Sequence, residues 1–531
     1  MFVSIIGLIY NWHEIQMQDN RPDKFFAGLS VLVSVILLLP VLWFGFGADH
    51  GIFSYAVWVW RKFGMAPYAY CFDQAFPGIF LIHYFVQAFI GESVTAFRVF
   101  DLIWQSAAAL VIFLVASSTF KDRWAGFMAS ALYAVCYVKL GPWDSGQRDG
   151  FFTLLYLSSL WLFMRTGQMR ANVFSAILAG LLIGFAFLLK PTAALLALIF
   201  LALIFRSAKS KLTNSIAFII SCGAPSLAVI AYYLRIHALA ELYQVLFLFN
   251  AKVYSGSMLI PRLVAIKGML LLRLMPENIL IAIGALLAAV LSWKNKSVDR
   301  PSLFWLALIF LGTYVGYFAQ AKYIIYQQAP VWGMLCVFAG AGWALLFKIL
   351  LEKRPGRLQV KILVLSLILL AANIALIDKN SREFLINGAQ VSPAEGQKMF
   401  GFYKSCSSAA DYVRMRTGPD DKVQVWGGEA MINFLARRRS PTRFPQTFPL
   451  MLKGKAERSA FQKDLAAEFL QALQKDPPYY FLVETMSHPG FGISSDKDVM
   501  LNDYPELWKF ITTQYLPENA IDFFEIYRLK K

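Results

Sequence analysis

Two acidic side chains lie in the polar stretch that follows the first long apolar run of this chain. Asp49 stands directly after that run, and Asp73 follows in the same stretch, three residues before Phe76-Pro77. A carboxylate acts as a general base when it lies within hydrogen-bonding reach of the proton that it removes. An ionised carboxylate is costly inside lipid, so one at the membrane edge is better placed for such chemistry. The sequence therefore makes Asp49 the first candidate for a general base.

A second polar segment carries acids on both sides of an arginine. Asp144, Arg148 and Asp149 lie between two apolar runs, and Lys190 lies in the middle of a later apolar stretch. Basic side chains bind phosphate through charge-assisted hydrogen bonds, and arginine can use two parallel donors. Spacing alone leaves two interpretations open for Arg148 and Lys190: binding of a phosphate ligand, or anchoring among phospholipid headgroups.

Structural roles are alternatives for each acid. Asp49 could cap the helix expected to start near Gly51, and Asp73 could cap the helix expected at 77–90. Asp144 and Asp149 could only orient the arginine between them. These alternatives stay open on the sequence alone.

Three further polar residues of the apolar region have simpler interpretations. Asp101 lies one helical turn from Arg98, and a structural pair between them is expected because an isolated charge is costly in lipid. His50 and His83 have no partner at the spacing of a metal site. No metal ligand is therefore assigned, no residue spacing demands a divalent ion, and no cofactor is expected.

Composition defines the class of protein. Of 531 residues, 58% are hydrophobic and 16% are charged, with a mean hydropathy of +0.53. Soluble proteins carry about 25% charged residues. Repeated apolar runs of roughly 20 residues match a hydrocarbon core about 30 Å thick. The sequence therefore predicts an α-helical polytopic membrane protein.

The net charge of +17 does not indicate nucleic-acid binding, because of where the basic residues lie. They cluster in short loops between apolar runs, which is the pattern of cytoplasmic loops. These clusters are Lys121/Arg123, Arg165/Arg170, Arg206/Lys209/Lys211, Lys294/Lys296/Arg300 and Lys348/Lys353/Arg354/Arg357.

Hydropathy and these basic loops together predict about eleven spans, with the N-terminus cytoplasmic. The stretch 173–206 has basic residues at both ends, so it must be a hairpin, with Lys190 at the outer face. The first outer loop is expected at about 47–96. The predicted spans are 25–46, 97–119, 124–140, 150–165, 173–190, 192–206, 214–234, 277–293, 302–319, 329–348 and 358–377.

The last part of the chain has a different character. We divide the chain into a membrane domain at 1–377 and a small soluble α/β domain at 378–531, on the extracytoplasmic side. Short strands are expected at 422–426, 479–484 and 522–529, and helices at 407–416, 457–474 and 504–514. Gly427-Gly428 is a weak match to a nucleotide-binding fingerprint, so no nucleotide chemistry is expected there.

Several motifs resemble one family. They are Ala48-Asp49-His50-Gly51 after the first span, Asp-x-x-x-Pro-Gly at 73–78, Gln-Arg-Asp at 147–149, and the stretch 184–191 ending in Lys190-Pro191. In this order they are similar to polyprenyl-phosphate-sugar-dependent glycosyltransferases of the GT-C fold, the group related to protein mannosyltransferases and aminoarabinose transferases. One departure is visible, since the family often has Asp-Glu where this chain has Asp49-His50.

The resemblance implies transfer of a sugar from a polyprenyl-phosphate donor to a lipid, glycan or protein hydroxyl of the cell envelope. It implies Asp49 as general base and a location in the bacterial inner membrane. The substrate-binding residues that it implies are Asp73, Asp144, Arg148, Asp149 and Lys190. A lipid-linked sugar transporter or flippase is the main alternative, because basic residues in a membrane cavity would suit it too.

Overall fold

The fold was analysed in a computed structural model of the chain. An N-terminal interfacial helix expected at 2–12 lies outside the described residues. The structure describes residues 24–165, 171–207, 209–257, 275–320, 322, 324–351, 358–377, 386–388, 390–452, 459–487 and 495–530, with a few single residues between 258 and 274.

Each of the eleven predicted spans contains a helix of the structure. They are α1 (Lys24–Leu38), α4 (Val94–Phe120), α5 (Arg123–Val138), α6 (Phe152–Met164), α7 (Val173–Leu189), α8 (Ala193–Ser207), α9 (Lys211–Arg235), α10 (Pro276–Lys294), α11 (Arg300–Gln320), α12 (Ala329–Leu351) and α13 (Leu358–Ala375). Between α1 and α4 lie α2 (Ala48–Phe63) and α3 (Pro77–Phe89), within the stretch 47–96 that we call the first outer loop after its predicted position.

Seven helices of the described chain are long and apolar enough to cross a membrane. The class of a polytopic helical membrane protein is thereby confirmed, whereas the number of eleven spans stays a prediction. The hairpin predicted at 173–206 is present, because α7 ends at Leu189 and α8 begins at Ala193, with Lys190 and Pro191 between them. Proline at this point cannot continue the helix.

The C-terminal part contains a four-stranded sheet of order β1-β2-β4-β3. β1 and β2 are parallel, and the other two pairings are antiparallel. Its strands are β1 (Val423–Trp426), β2 (Tyr480–Glu484), β3 (Tyr515–Ile521) and β4 (Phe524–Leu529), and its main helices are α14 (Gly401–Arg416), α15 (Ala430–Ala436), α16 (Ala460–Lys475), α17 (Asp496–Asp503) and α18 (Pro505–Gln514). The predicted small C-terminal α/β arrangement is confirmed, with β3 as a strand that the sequence interpretation missed.

The C-terminal domain packs against the first outer loop. The hydroxyl of Tyr55 in α2 accepts a hydrogen bond from the backbone N–H of Ser440 at 2.8 Å. Arg437 donates to the carbonyl of Glu92, just before α4, at 2.9 Å. Cys71 in this loop and Cys406 in α14 are both buried, free thiols.

Candidate active site at the outer ends of the helices

Asp49 lies in the first turn of α2, a helix that begins three residues before Gly51, where the sequence placed its start. The N-cap position belongs to Gly47, so Asp49 is not the helix cap. Within the described chain the Asp49 carboxylate has no hydrogen bond or salt bridge. Burial raises its pKa above the ordinary value, while the positive charges of Arg148 and Lys190 act in the opposite direction. Asp49 is therefore a carboxylate held near two cations and free to accept a proton.

The neighbouring His50 fixes the start of α2. Its Nδ1 accepts a hydrogen bond from the backbone N–H of Gly47 at 3.2 Å, so its Nε2 carries the proton and donates to the carbonyl of Ser145 at 2.8 Å. His50 thus joins the first outer loop to the polar segment that contains Arg148. These two hydrogen bonds give His50 a structural role.

Arg98, fully buried near the start of α4, joins the same two segments. It donates to the carbonyls of Phe44 and Gly45 at 3.0 and 2.8 Å, and to the carbonyls of Pro142 and Ser145 at 3.0 and 3.2 Å. Its side chain also lies 3.4 Å from that of Asp101, which is the structural pair expected from the sequence. Arg98 therefore holds the backbone before Asp49 against the backbone before Arg148.

Asp73 is buried in the turn before α3 but does not cap that helix. Its Oδ1 accepts a hydrogen bond from the backbone N–H of Ala75 at 2.8 Å, while the N-cap position belongs to Phe76. Burial raises the pKa of Asp73 to about 7 against the opposing effects of the Ala75 N–H and of Arg148; Asp49 raises it further. At neutral pH this carboxyl group is close to half protonated.

Asp144 does not pair with Arg148. Its carboxylate accepts a hydrogen bond from the backbone N–H of Tyr326, the second residue of the turn Ile325–Gln328 before α12. Burial raises the pKa of Asp144 to about 7, and Asp49 raises it further. Asp144 therefore links the polar segment to the far end of the membrane domain.

Arg148 is the least satisfied charge of the site. Its side chain is 9% exposed, and among the described residues it has no hydrogen bond or salt bridge. Its guanidinium carbon lies 5.8 Å from the centre of the Phe53 ring. Buried polar groups usually have partners, and an exception calls for an explanation such as a missing ligand.

Lys190 differs from Arg148 because it has an anionic partner. Its Nζ donates to the Asp149 carboxylate at 2.7 Å and also contacts Oε1 of Gln320 at the end of α11. Lys190 Nζ lies 5.8 Å from the centre of the Tyr326 ring. Asp149 thus pairs with Lys190, and its charge also acts on the guanidinium of Arg148.

Two tyrosines and a lysine join this group without any signal in the sequence. Tyr254 and Tyr326 lie close enough to Asp49 and Arg148 for their charges to interact. Lys322 donates to the carbonyl of Tyr254 at 2.6 Å and lies 4.5 Å from the centre of its ring. These residues belong to loops far apart in the chain. A sequence pattern reveals a cluster only when its residues lie within one loop.

An apolar cavity lies beside the charged group, with a volume of about 390 Å³. Its wall includes Pro77, four residues after Asp73, and Leu188, two residues before Lys190. The other lining residues are aromatic or aliphatic and come from α2, α3, α7 and α9 and the loop between α2 and α3: Trp60, Pro67, Phe80, Leu81, Tyr84, Phe185, Pro225, Ala228, Val229, Tyr232 and Tyr233. Among the described residues no group of three His, Cys, Asp or Glu side chains could hold a metal ion.

Comparison with known proteins supports the resemblance found in the sequence. A family model described as dolichyl-phosphate-mannose-protein mannosyltransferase matches residues 73–235. The match includes Asp73, Arg148 and Lys190 and begins after Asp49. No curated protein matches the chain in sequence.

Solved structures extend the likeness to the whole chain. ArnT from Cupriavidus metallidurans, solved with undecaprenyl phosphate, has a TM-score of 0.55 at 12% identity, over 95% of this chain and 97% of ArnT. The oligosaccharyltransferase AglB from Archaeoglobus fulgidus, solved with an inhibitory peptide and a dolichol-phosphate, has a TM-score of 0.51 at 13% identity, over 87% and 69% of the two chains.

These likenesses define the class of the protein. The chain is a multi-pass membrane protein with the fold of GT-C glycosyltransferases, and the resemblance stated from its motifs is confirmed. The family match and the fold together support a membrane glycosyltransferase.

Proposed function

We propose that the chain transfers a sugar from a polyprenyl-phosphate-linked donor to a hydroxyl group of an envelope lipid, glycan or protein. The reaction takes place on the non-cytoplasmic face, with Asp49 as general base. The observation that supports this proposal is the proximity of an unpartnered carboxylate, Asp49, to an unpartnered guanidinium, Arg148, among the described residues. In such a pair the carboxylate can take the proton of the acceptor hydroxyl, and the guanidinium can bind the phosphate of the donor.

Asp49 would remove the proton from the acceptor hydroxyl as that oxygen attacks the anomeric carbon. The bond between that carbon and the phosphate oxygen breaks, and polyprenyl phosphate leaves as a stable anion. A one-step displacement of this kind inverts the anomeric configuration. The positive charges of Arg148 and Lys190 lower the pKa of Asp49 against the raising effect of burial, and so favour the ionised form that a base requires.

Arg148 would bind the donor phosphate and stabilise the charge that develops as it leaves. A phosphate would satisfy the buried guanidinium, and arginine can bind two phosphate oxygens at once. Lys190 would support it as a second cation, with its charge partly offset by Asp149. The apolar cavity beside Pro77 and Leu188 could take the first part of the lipid chain.

Asp73, Asp144 and Asp149 would complete the substrate-binding set. With pKa values of about 7, Asp73 and Asp144 can each accept a hydrogen bond when ionised and donate one when protonated. Sugar hydroxyl groups need both kinds of partner. Asp149 would act indirectly, by holding Lys190.

The decisive experiment is incubation of the purified protein with a set of polyprenyl-phosphate sugars and an envelope lipid extract. A glycosyltransferase releases polyprenyl phosphate and produces a glycosylated acceptor, both visible by mass spectrometry. A flippase would leave the donor intact and move it between leaflets of a vesicle. Intact donor in all combinations, with transport in vesicles, would contradict the proposal in favour of the transporter.

A further inference from the structure

A single stretch of the C-terminal domain contacts both acid-bearing parts of the first outer loop. On the Asp73 side, the backbone N–H of Phe72 donates to the carbonyl of Arg443 at 2.7 Å, and Nε2 of Gln446 donates to the carbonyl of Phe72 at 3.3 Å. The Phe72 ring stacks on Phe444 with centroids 5.2 Å apart. The backbone N–H, the carbonyl and the ring of Phe72, the residue before Asp73, therefore all contact this stretch.

On the Asp49 side the same stretch packs directly against α2. A Cβ atom placed on Gly51 would lie 2.4 Å from the Cβ of Met431, so α2 and α15 approach each other at the distance that only glycine allows. The buried Glu429 precedes Met431. Burial, then Asp496 and Asp49, raise the pKa of Glu429 to about 8, which places Glu429 within electrostatic reach of the proposed base.

Arg443 is the junction of these contacts. Its guanidinium donates to both carboxylate oxygens of Glu468 in α16, at 2.5 and 2.7 Å, and to Oε1 of Gln244 in the outer loop after α9 at 3.0 Å. It also lies 5.2 Å from the centre of the Phe72 ring. One side chain therefore joins the C-terminal domain, the first outer loop and a later outer loop.

We propose that residues 429–447, which we call the bridging segment, position Asp49 and Asp73 relative to each other for the transfer reaction. Arg443 is the main positioning residue, because its side chain is held by Glu468 and Gln244 and lies over the Phe72 ring, while its backbone carbonyl accepts the Phe72 N–H. The C-terminal domain is thus a working part of the active site. This inference rests on the proposed function and assigns the role of the domain within it.

The physical reason is geometric precision. Asp73 lies in a loop between α2 and α3, and a loop alone does not hold a carboxylate to within a fraction of an ångström. A misplacement of about 1 Å at reacting groups can cost about a hundredfold in rate. Two hydrogen bonds to the backbone of the adjacent Phe72, one of them from the side chain of Gln446, and a ring stack remove that freedom.

The test compares Arg443→Ala with Arg414→Ala. Arg414 lies in the same domain and is also ion-paired, with Asp411 at 2.6 Å, but its side chain is half exposed and contacts neither outer loop among the described residues. We expect Arg443→Ala to lower kcat at least about tenfold with a smaller change in KM for the donor, whereas Arg414→Ala leaves both unchanged. Equal thermal midpoints would exclude general unfolding.

A second measurement does not depend on turnover. Cys71 is a free, buried thiol two residues before Asp73, so its alkylation by a maleimide reports opening of this loop. Mass spectrometry of peptides separates it from the other cysteines. We expect Arg443→Ala to raise the alkylation rate of Cys71 about tenfold, which corresponds to about 1.4 kcal/mol of opening free energy, with no rise in Arg414→Ala.

Each outcome decides one claim. Unchanged Cys71 alkylation in Arg443→Ala, or faster alkylation with unchanged kcat, would overturn the positioning role. If Arg443→Ala cannot be purified folded, Gln446→Ala, which removes one hydrogen bond to Phe72, takes its place with the same expectations. If the unaltered protein fails to use any polyprenyl-phosphate sugar, the proposed function fails, and the alkylation result still decides whether the bridging segment holds the loop.

Discussion

At the scale of single residues, Asp49 differs from the other acids of the site in having no hydrogen-bonded partner among the described residues. Asp73 accepts from Ala75, Asp144 accepts from Tyr326, and Asp149 pairs with Lys190. A base must be free to take a proton from its substrate, and partners compete for its lone pairs. This difference favours Asp49 for the chemical step.

Replacement of this carboxylate tests its role. Asp49→Asn keeps the size of the side chain but removes its basicity, so we expect kcat to fall at least about a hundredfold. Thermal stability should change little, because the Asp49 carboxylate has no partner to lose. The measurement is the rate of polyprenyl phosphate release, with Asp411→Asn, at a half-exposed site in the C-terminal domain, as the matched control. Normal turnover by Asp49→Asn would move the base role to Asp73, Asp144 or Asp149.

Removal of the Arg148 side chain, or of the Lys190 side chain, should weaken donor binding. Loss of one phosphate contact at about 1.4 kcal/mol predicts a Kd about tenfold higher in Arg148→Ala and in Lys190→Ala. Binding of a polyprenyl-phosphate sugar to the purified protein in detergent provides the measurement. Unchanged Kd in both variants would mean that the two cations only anchor the protein among lipid headgroups.

The two variants should differ in stability. Lys190→Ala leaves the buried Asp149 carboxylate without its partner, and breaking a buried ion pair on one side costs about 3–5 kcal/mol. Arg148→Ala breaks no salt bridge of the described residues. The double variant Lys190→Met/Asp149→Asn should recover most of the lost stability without recovering donor affinity. If the double variant recovered both its stability and its donor affinity, Lys190 would have only a structural role.

The raised pKa of Asp73 predicts that the stability of the protein depends on pH. Its folded-state pKa of about 7 lies above the ordinary value of 3.8, so the folded protein holds a proton that the unfolded chain releases. Asp73 therefore destabilises the fold increasingly as the pH rises from about 4 to about 7. Asp73→Asn removes this effect, and its thermal midpoint should gain on that of the unaltered protein between pH 5 and pH 8. Parallel midpoints across this range would contradict the raised pKa.

Sequence spacing found these candidate residues but not their partners. Asp49, Arg148 and Lys190 were visible because each is a charged residue that lies at the edge of an apolar stretch or within one, outside the basic clusters of the predicted cytoplasmic loops. The pairing of Asp149 with Lys190, and the hydrogen bond from Tyr326 to Asp144, join residues from separate helices. Such contacts follow from how the helices pack, and neither hydropathy nor spacing contains that information.

At the scale of elements, the approach of α3 to α7 sets the distance between the Asp73 loop and Lys190. A Cβ atom on Gly78 would lie 2.7 Å from the carbonyl carbon of Leu188 and 2.8 Å from the backbone nitrogen of Leu189. Backbone atoms cannot move aside as side chains do. The glycine of the Pro-Gly pair is therefore required by packing at the end of α7.

Gly78→Ala should consequently separate the two elements. We expect a loss of about 1–3 kcal/mol of stability from overpacking, and lower kcat because Asp73 moves away from the cations. Thermal midpoint and polyprenyl phosphate release measure the two effects. Gly28→Ala in α1 is the matched control, because nothing lies within 4 Å of a Cβ atom there. Equal thermal midpoints and equal rates of polyprenyl phosphate release in Gly78→Ala and Gly28→Ala would show that the contact between Gly78 and α7 does not position Asp73.

Element positions were largely predictable, and the missed strand has a clear cause. Apolar runs of membrane length and basic loops located the helices because both signals are strong and local. β3 was missed because Tyr515–Ile521 is mostly exposed and contains Pro517, Glu518 and Asn519, residue types that are depleted in strands. Proline is tolerated at the edge of a sheet, where β3 lies, paired to β4 alone with an irregularity after Pro517.

At the scale of the whole molecule, charge placement determines which side of the membrane the site faces. The basic clusters of the loops predict a cytoplasmic face, and Lys190 is an exception at the opposite ends of the helices. Its pairing with Asp149 removes the conflict with the positive-inside rule, since its charge is offset within the protein. Asp49, Arg148 and the C-terminal domain lie with Lys190 on that opposite side.

Orientation can be measured directly. We expect a membrane-impermeant maleimide added from outside to label a cysteine introduced at the half-exposed Asp411 of the C-terminal domain, and to miss one at Lys296 between α10 and α11. The reason is that Lys296 belongs to a basic loop, which the positive-inside rule assigns to the cytoplasm, whereas the predicted odd number of spans would carry the C-terminus across. Permeabilised cells, in which both cysteines must react, give the control. Labelling at Lys296 from outside would reverse the orientation of the whole chain and move the proposed site to the cytoplasmic face.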